Sequence, residues 1–365
     1  MKNMKILLIS YSDYDYDGRL RELLKVFSSI GDTYCITKGD NKHFDKQYVC
    51  HNDSYLMFIL KSLITKSRLK NIDIIVLDNR KATIPGLLIN LGNKYYTIQD
   101  CRELYDIESV RSLVSKIGCI FEKICISKSN IVICANEERA EIMKKKYNLS
   151  KRPIVFENLR KLEYSSNAYG EKKLHELDKY FISGEVRIIS SSGCSISRTN
   201  DILVKNICKV NKNVRLFLVG DNNTDDYNKI DELIKKNDMR NVEILGKLNQ
   251  SELKYLIQNS HIGIVNYGQE DLNNKYCASG KIYEFLYEGI PVVTTTNPPL
   301  KKMCEKYNVG IADDEYYSGI NKVINDYDYY KKNVENFIKN HTIEENNRNL
   351  KNRITKALEG RFNTL

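Results

Sequence analysis

The stretch from Tyr276 to Thr294 reads YCASGKIYEFLYEGIPVVT, and it indicates the fold class of this 365-residue chain more clearly than any other segment. Its middle part predicts a helix from residue 280 to residue 288, because Gly289 suits the left-handed position that follows a helix. Pro291 cannot continue a helix, and the apolar run after it predicts a buried strand. A helix that leads directly into a buried strand is typical of α/β domains with a parallel sheet.

The start of this helix has the features of an anion site. Backbone amides at a helix N-terminus attract anions, and Ser279 is predicted as the N-cap residue beside Gly280. Lys281 lies in the first turn, where a cation is unfavourable beside the helix dipole unless an anion is bound. Glu284 lies on the same face and could accept two hydrogen bonds from a ribose. The residues alone leave two interpretations open: a nucleoside diphosphate site, or a capped helix with an ion pair.

Strands and helices alternate along both halves of the chain on either side of a polar segment. This alternation predicts two Rossmann-like, doubly wound domains, each with a parallel sheet covered by helices on both faces. Ligands are expected in a cleft between the carboxyl ends of the two sheets. The expected boundaries are an N-terminal domain over 1–160, a linker over 161–184, a C-terminal domain over 185–340, and a C-terminal helix over 341–365 that could cross back to the N-terminal domain.

The loop after the first predicted strand contains Asp13, Asp15 and Asp17 followed by Gly18, the spacing that opens an EF-hand calcium loop. The twelfth position of such a loop must be a bidentate Glu, and here it is Leu24. The segment before the loop also predicts a strand, whereas an EF-hand needs a helix. We therefore interpret the loop as a polar turn that leads into the first helix, and we expect no metal site.

The composition argues against several classes of protein. A hydrophobic content of 42% and a charged content of 28% are typical of globular proteins, and no apolar run reaches the roughly 18 residues of a membrane span. The N-terminal segment lacks a signal-peptide pattern. The ten cysteines form no C-x-x-C pair, which predicts reduced core thiols of a cytoplasmic protein. Neither predicted first strand is followed by G-x-G-x-x-G, which disfavours a dinucleotide cofactor.

The positive charge of the chain is concentrated in its first half. Of the net charge of +10, residues 1–160 carry +8, from 27 Lys and Arg against 19 Asp and Glu. Predicted helices over 54–70 and 110–123 place basic residues beside broad apolar faces. Each helix alone is explained well as a core helix. Together with the charge imbalance, they predict docking on an anionic inner membrane surface. The tyrosines show no basic–aromatic repeat, so nucleic-acid binding is not expected.

Several segments together resemble the family 4-type glycosyltransferases of capsule and exopolysaccharide synthesis, which have the GT-B fold. Residues 278–293 resemble the family signature PNKLFEYxxxGxPVV. Other similar segments follow in the order expected for the family, at 17–21 (DGRLR), 97–105 (TIQDCRELY), 217–221 (FLVGD), 242–253 (VEILGKLNQSEL) and 259–265 (NSHIGIV). The resemblance implies that the first domain binds an acceptor and the second a nucleotide-sugar, in a cytoplasmic enzyme that could sit at the inner membrane face.

The resemblance also implies a set of donor-binding residues. Arg198 and Lys281 would bind the diphosphate, and Glu284 would bind the ribose. The backbone of Gly246, Lys247 and Leu248 would hold the base. The full donor-binding set is then Gly193, Arg198, Gly246, Lys247, Leu248, Ser279, Gly280, Lys281 and Glu284. Many relatives carry a sugar-contacting Glu at the position of Cys277, so the identity of the sugar is left open.

The acceptor-side residues implied by the resemblance are Gly18, Arg19, Asp100 and Glu103. Arg102 occupies a position where the family has a histidine. Because a guanidinium cannot act as a base at pH 7, Arg102 would instead stabilise a phosphate or the leaving group.

The expected reaction transfers a sugar from a nucleoside-diphosphate donor, with UDP-sugar preferred, to a glycan or lipid-linked acceptor. Retention of the anomeric configuration and independence of metal and cofactor are implied by the family. Arg198, Lys281 and Arg102 would stabilise the charge of the departing diphosphate. Two alternatives remain at this stage. One is a nucleotide-sugar 2-epimerase, and the other is a non-catalytic subunit that has kept the fold.

Overall fold

The computed structural model describes residues 4–51, 54–164 and 174–362, so part of the predicted linker, 165–173, lies outside the described residues. The strands are β1 (Lys5–Asp13), β2 (Asp32–Lys38), β3 (Gln47–Cys50), β4 (Ile74–Asp78), β5 (Tyr96–Cys101), β6 (Ile131–Cys134), β7 (Ile154–Val155), β8 (Val186–Ser190), β9 (Val214–Val219), β10 (Val242–Leu245), β11 (Ile262–Val265), β12 (Val292–Thr294) and β13 (Gly310–Ala312).

The α-helices are α1 (Gly18–Ser28), α2 (Tyr55–Arg68), α3 (Thr83–Ile89), α4 (Leu113–Lys128), α5 (Glu137–Lys146), α6 (Asn200–Ile207), α7 (Asp225–Lys236), α8 (Gln250–Gln258), α9 (Leu272–Lys275), α10 (Gly280–Tyr287), α11 (Pro298–Tyr307), α12 (Tyr317–Asn325), α13 (Tyr327–Asn340) and α14 (Ile343–Phe362). Within the described residues, no helix combines the length and apolar character that crossing a membrane requires.

The chain divides into two compact units. The first comprises Met1–Asn158 with Ile343–Leu365, and the second comprises Leu159–Thr342. The first unit contains a seven-stranded sheet in the order β3-β2-β1-β4-β5-β6-β7, in which every pairing is parallel. Its central strands are apolar on both faces, and the four residues Ile6–Ile9 are all fully buried, because helices cover both sides of the sheet.

The second unit contains a six-stranded parallel sheet in the order β10-β9-β8-β11-β12-β13. Its order reverses at β8, so the strands run outward in both directions from the first strand of the unit. Reversal of this kind leaves space for a ligand at the carboxyl ends of the central strands. The two parallel sheets confirm the predicted α/β fold class.

Two short edge strands differ from the predicted pattern. The strand β3 has only four residues, Gln47–Cys50, which are too few to show a periodic pattern. The three residues of β13 begin at Gly310, where a Cβ atom would lie 1.8 Å from the carbonyl oxygen of Val292. Only glycine therefore allows β13 to pair with β12 at this register.

The C-terminal helix α14 completes the core of the first unit. Leu350, Ile354 and Leu358 recur every four residues along α14 and are buried. They belong to the same apolar cluster as Leu20 and Phe27 of α1. The first unit thus depends on a segment that lies almost two hundred residues away from the rest of the unit in the sequence.

We predict that Ile354→Ala lowers the free energy of unfolding of the first unit by about 2–5 kcal/mol, because the variant loses buried contacts and leaves a cavity. Thermal unfolding followed by circular dichroism would measure the loss. Asn352→Ala, on the exposed side of the same helix, is the matched control and should change stability by less than about 0.5 kcal/mol. Equal stability of the two variants would contradict this account of α14.

Candidate functional site

The candidate site lies at the carboxyl ends of the central strands in the second unit, where α10 begins. Gly280 is the first residue of α10, and Gly289 follows the helix with φ +80°, as its sequence predicts. Ser279 occupies the N-cap position, as predicted, although its side chain makes no capping hydrogen bond. The Ser279 hydroxyl is instead turned into the interior, close to the hydroxyl of Tyr267.

Lys281 connects α10 to the loop that follows β8. Its ammonium group donates hydrogen bonds to the carbonyl oxygen of Ser191, at 2.5 Å, and to the Ser191 hydroxyl, at 3.0 Å. Burial lowers the pKa of Lys281, and the neighbouring charges of Arg160 and Arg198 lower it further, whereas Glu284 opposes the change. Lys281 is therefore a desolvated cation that a bound anion would stabilise.

Glu284 lies one turn further along α10 and is almost fully buried, with 2% of its surface exposed. Its Oε1 atom accepts a hydrogen bond from Nε of Arg160 at 2.8 Å. The Arg160 side chain is about half exposed. Sequence reasoning missed Arg160, because its contact with Glu284 spans more than a hundred residues and no local pattern marks it.

Arg198 ends a short 3₁₀ turn, Ile196–Arg198, in the loop after β8. Its guanidinium carbon lies 3.7 Å from the ring centre of Tyr267, which follows β11. This stacking holds the guanidinium in a fixed position while its donors remain available for hydrogen bonds. The three cations Arg160, Arg198 and Lys281 thus lie around the amide end of α10, with Glu284 as the carboxylate among them.

The loop after β8 is held by close backbone contact and a buried polar network. Gly193 has φ +64°, and a Cβ atom on Gly220 would lie 2.6 Å from the Cα of Gly193. Beneath this loop, fully buried Asn200 accepts hydrogen bonds from Ser190 and Asn266, at 3.0 and 2.9 Å. The network fixes the path of the loop that carries Ser191 and Arg198. Asn266 directly follows the apolar run of β11, and a polar residue at the carboxyl end of a buried strand is a pattern that could have suggested a site.

The predicted base-binding segment, Gly246–Leu248, follows β10 at the same edge of the sheet. Lys247 forms an ion pair with Asp221 at 2.9 Å, and Asn222 lies beside Gly246. Leu248 packs against the core of the second unit. The structure therefore gathers the predicted donor residues at the ends of β8 and β10 and at the start of α10. Cys277 is buried in the same core.

In the first unit, two of the four predicted acceptor-side residues, Arg19 and Asp100, form a buried ion pair. Arg19 donates hydrogen bonds to both oxygens of Asp100, at 2.8 and 2.7 Å, and a third to the carbonyl oxygen of Phe156. Arg19 and Asp100 are both buried. This pair joins α1 to β5, and the acceptor-side role of both residues stays a prediction. Gly18 is the first residue of α1.

Arg102 is likewise held by carboxylates. Its Nε and Nη2 atoms donate to the two oxygens of Asp78, at 2.6 and 2.5 Å, and Nη1 donates to Asp17. Asp78, which also accepts from the Ser10 hydroxyl at 2.6 Å, has no exposed surface. Burial raises the pKa of Asp78, with Asp100 and Asp17 adding to the rise, while Arg102 lowers it. This geometry favours a structural role for Arg102 over the predicted leaving-group role.

The polar loop after β1 ends in a helix cap. The Asp17 side chain accepts a hydrogen bond from the backbone amide of Leu20, which is the turn geometry expected from the sequence. Oδ1 of Asp15 lies 2.8 Å from Nε2 of His43. Among the described residues, no group of three or more His, Cys, Asp or Glu is placed to hold a metal ion. Glu103, the remaining acceptor-side residue, is half-buried. Burial raises the pKa of Glu122, and the charge of Glu103 adds to that rise.

Comparison with solved structures shows the same fold in several proteins, including two that were solved with UDP or a UDP-sugar bound. The chain matches Alr3699/HepE of Anabaena, in complex with UDP and glucose, with a TM-score of 0.74 and 15% identity over 97% of this chain and 100% of that chain. For a glycosyltransferase of Rickettsia africae the TM-score is 0.68, with 15% identity over 98% and 99% of the two chains. For the UDP-GlcNAc 2-epimerase of Neisseria meningitidis, bound to UDP-GlcNAc, it is 0.61, with 13% identity over 98% and 100%.

No protein-family model matches the sequence, and no curated protein matches it. At such low identity, the structural likeness establishes the fold alone. It confirms the GT-B fold class that the sequence resemblance predicts.

We predict that Arg102→Met lowers the free energy of unfolding by about 3–5 kcal/mol, because it leaves the buried Asp78 carboxylate without its charge partner. Urea unfolding at neutral pH would measure the loss. The exposed Arg111→Met is the matched control and should be nearly neutral. In the double variant Arg102→Met/Asp78→Asn, part of the lost stability should return. Wild-type stability in Arg102→Met would instead restore a direct functional role for this residue.

Proposed function

We propose that this chain is a glycosyltransferase that takes a sugar from a nucleoside-diphosphate donor, with UDP-sugar the preferred class. The observation that carries the proposal is the convergence of Lys281, Arg198 and Arg160 on the amide end of α10, one turn from the buried Glu284 carboxylate. The resemblance of residues 278–293 to the family signature supports it. The UDP and UDP-glucose complexes of the Anabaena protein are consistent with this choice of donor.

In this proposal the diphosphate binds at the start of α10. The backbone amides of Gly280 and Lys281 and the helix dipole favour an anion there. Lys281 and Arg198 supply charge-assisted hydrogen bonds to the phosphate oxygens. Burial and the cationic neighbours lower the pKa of Lys281, which means that its charged form is unfavourable in this position. A doubly charged anion would stabilise that charged form in addition to forming new hydrogen bonds.

Glu284 binds the ribose of the donor through its two carboxylate oxygens. Without ligand, Arg160 neutralises this buried carboxylate. We propose an exchange, in which the ribose hydroxyls take over Glu284 and the half-exposed Arg160 side chain turns toward the diphosphate. Arg160 would then act first as the ion-pair partner of Glu284 and afterwards as a third phosphate ligand.

The chemical step breaks the bond between the sugar and the diphosphate. Negative charge develops on the departing phosphate oxygen, and prepositioned cations stabilise it. Lys281 is held by Ser191, and Arg198 is held by its stacking on Tyr267, so both are in place before the reaction. The family resemblance supports retention of configuration and a metal-independent reaction. It also supports a glycan or lipid-linked acceptor in surface polysaccharide synthesis.

An epimerase remains the alternative with a specific observation behind it, the structural likeness to the Neisseria meningitidis enzyme. The two activities differ in their products. A transferase releases the nucleoside diphosphate and moves the sugar to an acceptor, whereas an epimerase returns a nucleotide-sugar of unchanged mass. Mass spectrometry of the nucleotide after incubation with UDP-sugars and a mixture of acceptors would separate these activities.

We predict that a UDP-sugar raises the melting temperature of the wild type by mass action and that Glu284→Ala and Lys281→Met lose most of this effect. A panel of UDP-, GDP- and dTDP-sugars would identify the base. Removal of a charged hydrogen-bond donor should weaken binding roughly 10- to 100-fold. Glu232→Ala and Lys236→Met, both at exposed positions of α7, are the matched controls and should bind as the wild type does. Unchanged binding in both site variants would rule out this donor site.

We further predict that Arg160→Gln weakens binding of UDP about tenfold, because the diphosphate loses the guanidinium as a ligand. Binding of uridine should be unchanged or improved, because uridine no longer competes with Arg160 for Glu284. Isothermal titration calorimetry with both ligands measures the two effects separately. Arg240→Gln, which removes a highly exposed arginine of the same unit, is the control. Equal changes for uridine and UDP would refute the exchange.

A further inference from the structure

The exposed aliphatic side chains of the described residues are concentrated on one part of the first unit. Of thirteen exposed Leu, Ile, Val and Met side chains, eleven lie on α2, on α3 and the loop just after it, and on α4. We call this surface the α2–α4 face, and its members are Leu56, Met57, Leu60, Ile64, Leu88, Leu91, Leu113, Val114, Ile117, Ile120 and Ile124. Single exposed apolar residues are common on proteins, but a cluster of this size marks an interaction surface.

The three helices form one continuous surface, because α3 packs against α2 on one side and against α4 on the other. Leu56, Leu60 and Ile64 recur every four residues along the outer side of α2. Ile117, Ile120 and Ile124 follow one another at steps of three and four residues along the outer side of α4. Helical spacing thus directs these side chains to one side of each helix, in line with one another.

The core of the first unit does not account for these residues. The inner side of α4 buries Glu122, and burial raises the pKa of this carboxyl to about 7, although isoleucines are available on the same helix. A surface helix ordinarily turns its apolar stripe toward the core and its charges toward water. The outer side of α4 instead carries exposed aliphatic residues among its lysines, which indicates that something other than water covers it in the functional protein.

The charges on this face are of one sign. Helices α2 and α4 contain six basic residues and a single carboxylate, the buried Glu122. Arg68, Lys116, Lys123 and Lys128 are exposed beside the aliphatic residues. Long basic side chains can lie along an apolar surface and place their charge at its edge.

We propose that the α2–α4 face docks on the surface of an anionic lipid bilayer, with the aliphatic side chains in the region of the lipid headgroups and the basic side chains on acidic phosphates. Aliphatic residues mixed with lysine and arginine are the composition of interfacial helices. Protein interfaces instead favour aromatic residues and are poor in lysine. A second copy of the chain would bring the basic residues of two such faces together, which like-charge repulsion opposes.

This inference goes beyond the proposed function, because it does not require the donor site to be correct. Each basic residue near an anionic surface strengthens binding about fivefold, and the aliphatic residues add a contribution that salt does not screen. Docking would also bring the first unit to the place where a lipid-linked acceptor would be found.

The test is a flotation assay with vesicles of pure phosphatidylcholine and of a two-to-one mixture of phosphatidylcholine and phosphatidylglycerol. The full chain should bind the mixed vesicles and bind the neutral ones far more weakly. Lys116→Gln/Lys123→Gln/Lys128→Gln should weaken binding to mixed vesicles about 100-fold. Leu60→Ser/Ile117→Ser should weaken it at least about tenfold and should do so at both low and high salt.

Matched controls come from exposed positions of the second unit. Lys212→Gln/Lys236→Gln/Lys332→Gln removes the same charge, and Ile182→Ser/Tyr329→Ser removes exposed apolar area. Both should bind vesicles as the wild type does, and all variants should keep its melting temperature. Failure of the wild type to bind mixed vesicles, or equal binding by site and control variants, would overturn the proposal. A different outcome would assign the face to a second copy of the chain. In that outcome the wild type does not bind vesicles, light scattering shows that it is a dimer, and Leu60→Ser/Ile117→Ser converts the dimer to a monomer.

Discussion

Charge buried at the carboxyl edge of a parallel sheet must be neutralised, and the two units of this chain meet that requirement differently. In the first unit, Arg19 faces Asp100, and Arg102 faces Asp78 and Asp17, so cations and carboxylates satisfy one another. In the described part of the second unit, Lys281 donates hydrogen bonds to the neutral oxygens of Ser191, and Glu284 forms its ion pair with Arg160. An excess of positive charge therefore remains where a ligand anion would complete it.

This difference gives the first unit an edge whose charges are paired with one another and the second unit an edge that is suited to bind an anion. Removing any one of the paired charges in the first unit leaves its partner buried without a counter-charge, so the expected effect is a loss of stability. At the second edge, the loop after β8 is fixed by Asn200 and by the contact between Gly193 and Gly220, so its geometry exists before any ligand arrives. Prepositioned donors of this kind are what stabilisation of a departing diphosphate requires.

The sequence predicts local features of this architecture well and long-range pairs poorly. Gly289 and Pro291 define the end of α10 because glycine and proline restrict the backbone itself. Arg160 could not be linked to Glu284, nor Arg102 to Asp78, because ion pairs between distant segments depend on the folded topology and leave no periodic pattern. The Ser279 side chain illustrates the same limit at short range, since N-cap propensity places the residue correctly and tertiary packing turns its hydroxyl inward.

The exposed aliphatic residues of the first unit raise a related question of what a sequence pattern can reveal. In the sequence, α2 and α4 have the composition of ordinary core helices with a basic side, and only the structure shows that their apolar residues point outward. Polar residues at those positions would leave the buried contacts of Phe58 and Cys125 intact, so folding does not require Leu60 or Ile120 to be apolar. Exposed aliphatic side chains that folding does not require, and that lower solubility, are best explained by a partner surface that covers them. The exposed lysines beside these residues favour an anionic surface over an apolar one.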